Sequence, residues 1–323
     1  MRDPQRRRIA VIGGGANDEH EVSLASAAAL TAAVGRLGDT AVPLTVERDG
    51  TWRHTDGEVL TAAGAVAVLT DCDAAFPALH GVNGEDGAVA GFLTMIGVPV
   101  VGSPVVAGAL AIDKWVTKTI AEALGVRSAP GVVVRSGDPA ALPPFAPPLV
   151  VKPTTGGSSN GVSVVRTADD YAMAVAEARA AGEDVLVERF VAGREVDIAV
   201  FRQADGSLRT GATLEIGVDE GGLFDREQKY DGTARFTVPA RVTTAEHEAL
   251  ERSARTLYDA LGCAGVARFD FFVTADGVVL NEVNTAPGFT EQSQVPRMYA
   301  ATGLDYVELV RELLAGVRSR AAG

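Results

Sequence analysis

Two apolar runs in the last quarter of the chain, Val266-Ala-Arg-Phe-Asp-Phe-Phe-Val273 and Val278-Val-Leu-Asn-Glu-Val-Asn284, carry Arg268, Asp270, Glu282 and Asn284 among valines and phenylalanines. Short β-branched and aromatic runs separated by Thr-Ala-Asp-Gly read as an antiparallel hairpin. Residues two apart share a strand face. A three-residue loop, Ala275-Asp276-Gly277 with Gly277 left-handed, sets Asp270 opposite Glu282 and Arg268 opposite Asn284, with all four side chains on one side. Two carboxylates that close repel each other unless a cation lies between them. Oxygen-only ligands beside an arginine suit Mg²⁺ on a polyphosphate. From these four residues alone, a solvated strand face with incidental charges is an equally good reading.

The elements that must position this hairpin follow from the rest of the chain. At 323 residues it is long enough for two or three domains. A formal charge of −13 argues against nucleic acid or an anionic membrane surface as partner. Anionic small molecules must then be met by local lysines and arginines. Cys72 and Cys263 fit no metal or redox spacing, and two thiols of a cytoplasmic protein are the preferred reading over a single disulfide. The basic N-terminus leads into a strand rather than an apolar signal segment, and no run reaches membrane-spanning length.

Ile9–Ile12, the triple glycine Gly13–Gly15 and an Ala-rich helix over Glu21–Val34 open an α/β domain. Glu19 sits where the loop becomes a helix, which a helix dipole alone would explain. Ala65–Leu69 and Asp73–Leu79 read as strands, His80–Gly87 as a polar loop, Ala88–Ile96 as a helix and Val98–Val101 as a strand, which together predict a parallel sheet. After Gly102-Ser-Pro104 a single helix is expected over Ala109–Leu124, carrying Lys114. Leu149–Lys152, the small-residue loop Pro153–Gly161, Val162–Val165, the helix Asp169–Ala181 and Asp184–Val191 form a β–loop–β–helix–β block. A loop so poor in side-chain bulk suits phosphates, and a plain linker is its alternative. Glu195–Phe201 and Gly211–Ile216 read as antiparallel strands, Gly217–Gly232 as a long polar loop with Lys229 and Tyr230, and Thr244–Leu261 and Leu304–Arg318 as helices.

With these pieces in order, the chain resembles the D-alanine–D-alanine ligases of the ATP-grasp superfamily. Five segments carry the resemblance: Gly-Gly-Gly-Ala-Asn-Asp-Glu-His-Glu-Val-Ser, Leu-His-Gly-Val-Asn-Gly-Glu-Asp-Gly, Asp-Lys-Trp, Val-Lys-Pro-Thr-Thr-Gly-Gly-Ser-Ser and Asn-Glu-Val-Asn-Thr-Ala-Pro-Gly-Phe-Thr. It implies an ATP-grasp fold of α/β and α+β class. Residues 1–103 would be an N-terminal parallel-sheet domain, 104–192 a central α+β subdomain and 193–323 a C-terminal antiparallel-sheet catalytic domain.

By the same resemblance, ATP drives formation of an acyl phosphate from one D-alanine, and the amine of a second displaces phosphate, yielding D-alanyl-D-alanine for peptidoglycan. Lys114, Lys152 and the loop around Ser158 would meet nucleotide phosphates. Glu188, Arg189, Phe190 and Val191 would form the adenine hinge, with Phe272 against the base and Glu195 on the ribose. Asp270, Glu282 and Asn284 would hold two Mg²⁺, or Mn²⁺ in their place, and Lys229 would reach the γ-phosphate on loop closure. Arg268 and the Gly288 N–H would stabilise the oxyanion. Glu19, with Ser158 and Tyr230, and His80 would hold the first substrate, and Ser293 the second. A homodimer is implied as well. The chain departs from the family pattern at Thr154-Thr-Gly-Gly157 and at Glu291-Gln-Ser-Gln294 beside the second subsite. A paralogous ligase taking another D-amino acid or amine in a biosynthetic or self-resistance pathway is therefore the alternative.

Overall fold

A computed structural model describes residues 6–54, 56–217 and 235–321. Lys229 and Tyr230 lie outside the described residues. Strand β1 (Arg8–Gly14) is buried because it lies between β2 (Thr40–Val46) and β5 (Ala74–Pro77), parallel to both. The expected all-parallel sheet is instead mixed. β3 (Trp52–His54) and β4 (Val59–Leu60) extend it antiparallel, in the order β4-β3-β2-β1-β5. The link from β2 to β3 is a tight turn closed by Gly50 N–H to the Glu47 carbonyl, too short for the crossover a parallel neighbour needs.

Helix α1 (His20–Arg36) packs on β1, and its Ser23 hydroxyl takes the Gly14 N–H and donates to the Ala78 carbonyl. Gly14 has φ +91°, and a Cβ there would stand 2.2 Å from the Val46 carbonyl oxygen, so no larger residue fits this turn. Ala65–Leu69, expected as a strand, belongs to helix α2 (Ala62–Thr70). The Thr61 side chain caps it by accepting the Gly64 N–H, and a short Ala/Val run carries no periodicity that separates strand from helix. Helix α3 (Ala88–Met95) follows, but Val98–Val101 contributes only a bridge from Val100 to Ala75.

The expected helix over Ala109–Leu124 is two, α4 (Val105–Ile112) and α5 (Lys114–Ala123). Asp113 breaks it with ψ 102° and restarts it as N-cap, accepting from Trp115 and Val116 N–H. The break directs the Lys114 N–H to the Thr154 carbonyl.

A second, antiparallel sheet has the order β6 (Gly131–Val134), β9 (Val185–Arg189), β7 (Leu149–Pro153), β8 (Ser163–Val165), with α6 (Tyr171–Ala181) across it. The third sheet runs β13 (Arg235–Thr237), β12 (Leu214–Gly217), β10 (Arg194–Arg202), β14 (Val266–Thr274), β15 (Gly277–Asn284), with β11 (Leu208–Thr210) also on β10. Helices α7 (Thr244–Ala260), α8 (Gln294–Ala300) and α9 (Tyr306–Ala321) complete the described chain. One core joins the first and third sheets: Val11 and Phe76 pack with Phe289, Leu309 and Leu313. Cys72 and Cys263 are buried thiols that are not joined in a disulfide.

The hairpin has the expected facing pairs for a different reason. Thr274 pairs with Gly277, so the loop has two residues, and a bulge between Asp270 and Phe271 restores Arg268 opposite Asn284 and Asp270 opposite Glu282. The extra residue is Asn281. A bulge sets two residues against one, so Asn281 and its neighbour Glu282 both reach the same cleft.

Candidate active site

The cleft between the second and third sheets has a volume of about 430 Å³. Its floor is the bulged hairpin. Arg268 grips Asp270 with two bonds, Nε to Oδ1 and Nη2 to Oδ2, each 2.7 Å, and Asn284 Nδ2 donates to Asp270 Oδ2 at 3.0 Å. Glu282 Oε2 lies 3.6 Å from Lys114 Nζ. Burial opposes the charge on Arg268, but the Asp270 and Asp197 carboxylates outweigh it and raise its pKa.

Asp197 is a site residue without a signal in the sequence, since it reads as one more charge in an alternating strand. It is fully buried on β10 opposite Asp270, and burial, then the Asp270 charge, pushes its pKa well up. Its Oδ2 accepts from Gln294 Nε2 at 3.0 Å, while Oδ1 has no hydrogen-bond partner among the described residues. Gln294 Oε1 in turn accepts from Arg268 Nη1 at 2.7 Å. The Gln294 amide thus bridges Arg268 and Asp197. Glu291, the other departure from the family pattern, accepts from Arg36 at 2.5 Å.

Two carboxylates and an amide on one face form a hard, all-oxygen donor set. Asp270 faces Glu282 across the hairpin, and Asn284 stands two residues on along the same strand face. These residues fit Mg²⁺.

The cleft wall is basic. Lys114 Nζ donates to the Gly156 carbonyl at 2.7 Å, and Lys152 Nζ contacts Glu188 Oε1 at 2.6 Å and Asn281 Oδ1 at 3.2 Å. Glu188 lines the cleft with its side chain almost wholly buried and its other oxygen on Lys118. Burial raises the Glu188 pKa, but Lys118 and Lys152 overcome this and lower it. Arg189, Phe190, Val191, Glu195 and Phe272 line the same cleft, and the Arg189 guanidinium stacks over Phe145. Lys118, like Asn281, escaped the sequence reading. Its signal is its place four residues after Lys114, on the same helix face.

Ser158 and Ser159 both hold left-handed φ, +53° and +56°, uncommon outside glycine, and Ser158 Oγ donates to Glu19 Oε1 at 2.6 Å. Asn17 fixes Glu19 by accepting its N–H and donating to the His80 and Val82 carbonyls. His80 is buried, and burial lowers its pKa, so the ring is neutral. Nδ1–H donates to the Ala286 carbonyl at 2.7 Å and Nε2 accepts from Ser26 Oγ, which takes the Phe289 N–H. Both ring nitrogens are thereby engaged. Gly288 adjoins Ser293, whose Oγ accepts the Thr290 N–H at 3.0 Å. Glu85, also absent from the sequence reading, is pushed up to about 8 by burial and then by Glu19. It senses Arg268, Glu282 and Lys114 as well, so groups from all parts of the chain converge on it.

A nucleotide-sized cleft between two antiparallel sheets, with a basic wall and an acidic hairpin floor, defines an ATP-grasp ligase. Family models for the N-terminus and C-terminus of D-Ala D-Ala ligase match residues 57–103 and 142–315. D-alanine–D-alanine ligases of Mycobacterium ulcerans and Mycobacterium avium are each 36% identical to the chain. They cover 99% and 100% of it, over 97% and 100% of their own lengths. The chain belongs to the D-alanine–D-alanine ligase family. Among solved structures, the VanG D-Ala:D-Ser ligase from Enterococcus faecalis matches with TM-score 0.84 and 31% identity, over 97% of this chain and all of that one. The D-alanine–D-alanine ligase from Coxiella burnetii matches at 0.83 and 26%, over 98% of this chain and 96% of that one. Among the described residues no helix is long and apolar enough to cross a membrane.

Proposed function

We propose that the chain joins two D-alanines into D-alanyl-D-alanine for peptidoglycan precursors, with ATP converted to ADP and phosphate. The observation that carries this reading is the cleft in which Lys114 and Lys152 face Glu282 on the hairpin floor while Ser158, in the loop between β7 and β8, is bonded to Glu19. Glu19, held by Asn17 and Ser158, takes the ammonium of the first D-alanine. Its carboxylate is then presented to the γ-phosphate, which Lys114 and Lys152 orient. Asp270, Glu282 and Asn284 would hold two Mg²⁺, which when bound neutralise the phosphate charge.

The second amine attacks the acyl phosphate carbonyl, and Arg268 with the Gly288 N–H receives the oxyanion. Ser293 meets the second carboxylate. His80 orients the Thr285–Phe289 segment through Ala286 rather than touching substrate. Lys229 and Tyr230 retain their proposed closing roles, as do the 1–103, 104–192 and 193–323 divisions and the homodimer.

Of the side chains that depart from the family pattern beside the second subsite, Gln294 is engaged by Arg268 and Asp197, Glu291 by Arg36 and Gln292 by Arg297. Full-length identity of 36% to D-alanine–D-alanine ligases favours D-alanine over a different amine as second substrate. ADP release and product mass are measured with ATP, Mg²⁺ and D-alanine, alone and against D-serine and D-lactate. The dipeptide from D-alanine alone is the expected product; turnover only with a second, different amine would sink the reading. Glu282→Gln is expected to lower kcat by two to three orders of magnitude, roughly the loss of one transition-state charge contact.

A further inference from the structure

Behind the basic wall lies a buried cluster in which one carboxylate serves two lysines. Glu188 on β9 and Lys152 on β7 share a sheet face, since Glu188 pairs with Val150, two residues from Lys152. Lys118 reaches Glu188 Oε2 from α5, while Lys152 holds Oε1 at 2.6 Å. All three are nearly inaccessible, at 4%, 5% and 3% exposure for Lys118, Lys152 and Glu188. Lys152 and Glu188 line the cleft, whereas Lys118 stands behind them.

We propose that Lys118 is a positioning residue for nucleotide binding: by neutralising Glu188 from behind, it leaves the charge of Lys152 available to phosphate. This rests on the ATP reading above. The cluster sums to +1 with Lys118 and to zero without it. Lys152 has three N–H donors. Glu188 and Asn281 take two of them. The third is available to a ligand only while another cation satisfies the far oxygen of Glu188. With Lys118 gone, both carboxylate oxygens draw on Lys152, which turns inward and away from the cleft.

The alternative is that the pair merely fastens α5 to the sheet. A fastening would weaken every ligand of the cleft alike, and its loss would not be repaired by deleting the carboxylate. Compensation of charge predicts the reverse on both counts.

The test measures binding of ATP, ADP and adenosine, with Mg²⁺, to the full chain and to Lys118→Met, Lys118→Arg, Glu188→Gln and the Lys118→Met/Glu188→Gln double variant. Lys118→Met should lose affinity for ATP and ADP by on the order of tenfold, the scale of one charge-assisted hydrogen bond from Lys152 to phosphate. Adenosine should change by less than about twofold and Lys118→Arg should restore most of the ATP affinity, since only charge is at issue. The double variant should bind ATP as Glu188→Gln does, because no carboxylate is left to compensate; if Lys118→Met fails to fold, Lys118→Gln, which keeps a donor for Glu188 without the charge, takes its place. Equal losses for adenosine and ATP, or a double variant weakened by a further order of magnitude relative to Glu188→Gln, would overturn the assignment. A wild-type chain that does not bind ATP overturns the nucleotide reading itself, and the role of Lys118 with it.

Discussion

Arg268 has five N–H donors, and three of them go to Asp270 and Gln294. The guanidinium is therefore fixed in plane before substrate arrives, and among the described residues two of its donors are left for the oxyanion it is proposed to receive. Gln294 completes that clamp and also satisfies one oxygen of buried Asp197. Gln294→Leu leaves Asp197 and Arg268 each short of a partner, at a cost of about 1–3 kcal/mol in stability. Thermal unfolding should register that loss, and kinetics should show a higher KM for D-alanine with the KM for ATP unchanged. Asp197→Asn in the same background should recover part of both. Glu85 gives a pH signature in the ligand-free protein. Its folded pKa of about 8 lies above the ordinary 4.5, so the folded chain keeps a proton that the unfolded chain releases. That contribution is complete below pH 4.5 and is lost as pH rises toward 8. Glu85→Gln should flatten this decline in a melting-temperature profile from pH 4.5 to 8. A profile with the same slope as wild type would show that Glu85 titrates normally.

The bulge and the helix break are where local sequence and final geometry part. The facing pairs of the hairpin were legible because alternation of apolar and polar residues fixes which side chains share a face. The loop length was not, because a three-residue loop and a two-residue loop followed by a bulge yield the same pairs at Asp270. What the bulge adds is Asn281 on the cleft face, an acceptor for Lys152. Deleting Asn281 should leave a regular hairpin with Asp270 still opposite Glu282. Mg²⁺-dependent ADP release should persist with a several-fold higher KM for ATP; complete loss of turnover in a folded variant would mean the bulge sets the metal-type pair itself. Asp113 was legible only as part of a motif, since its capping role depends on the chain turning at Ile112. Ala65–Leu69 misled because its alternation of Ala and Val is compatible with both periods, and only the Thr61 cap tips it to helix. Asp197 was invisible for another reason: it is defined by what faces it across the sheet, which spacing along the chain does not encode, and the spacing of Lys118 from Lys114 marks its helix face but not the carboxylate it meets.

At the scale of the molecule, the first sheet and the hairpin sheet act as one body. Phe289 stacks against Phe76 and Tyr306, with ring centroids 5.7 Å apart in both pairs, and α9 closes the same core from below. Ser26 is the polar counterpart of that apolar joint. Its oxygen accepts the Phe289 N–H and its hydrogen goes to His80, whose other nitrogen holds Ala286, so α1, the His80 turn and the segment leading to Gly288 move together. Gly288 and Glu19, the proposed oxyanion donor and ammonium partner, are thereby joined through the His80 turn, whose carbonyl accepts from Asn17 Nδ2. The wall of Lys114, Lys152 and Glu188 is tied to the hairpin through Asn281 and Glu282, and meets the amino-acid side at the bond between Ser158 and Glu19. Ser26→Ala strands a buried N–H and a ring nitrogen, a loss of about 1–3 kcal/mol for each unsatisfied group. Because Ser26 contacts His80 and Phe289 and none of the residues of the wall, Ser26→Ala should raise the KM for D-alanine and lower kcat while ATP binding, measured by titration without amino acid, stays within about twofold of wild type. Parallel losses in both would show that the two halves of the site are coupled through the core rather than held separately.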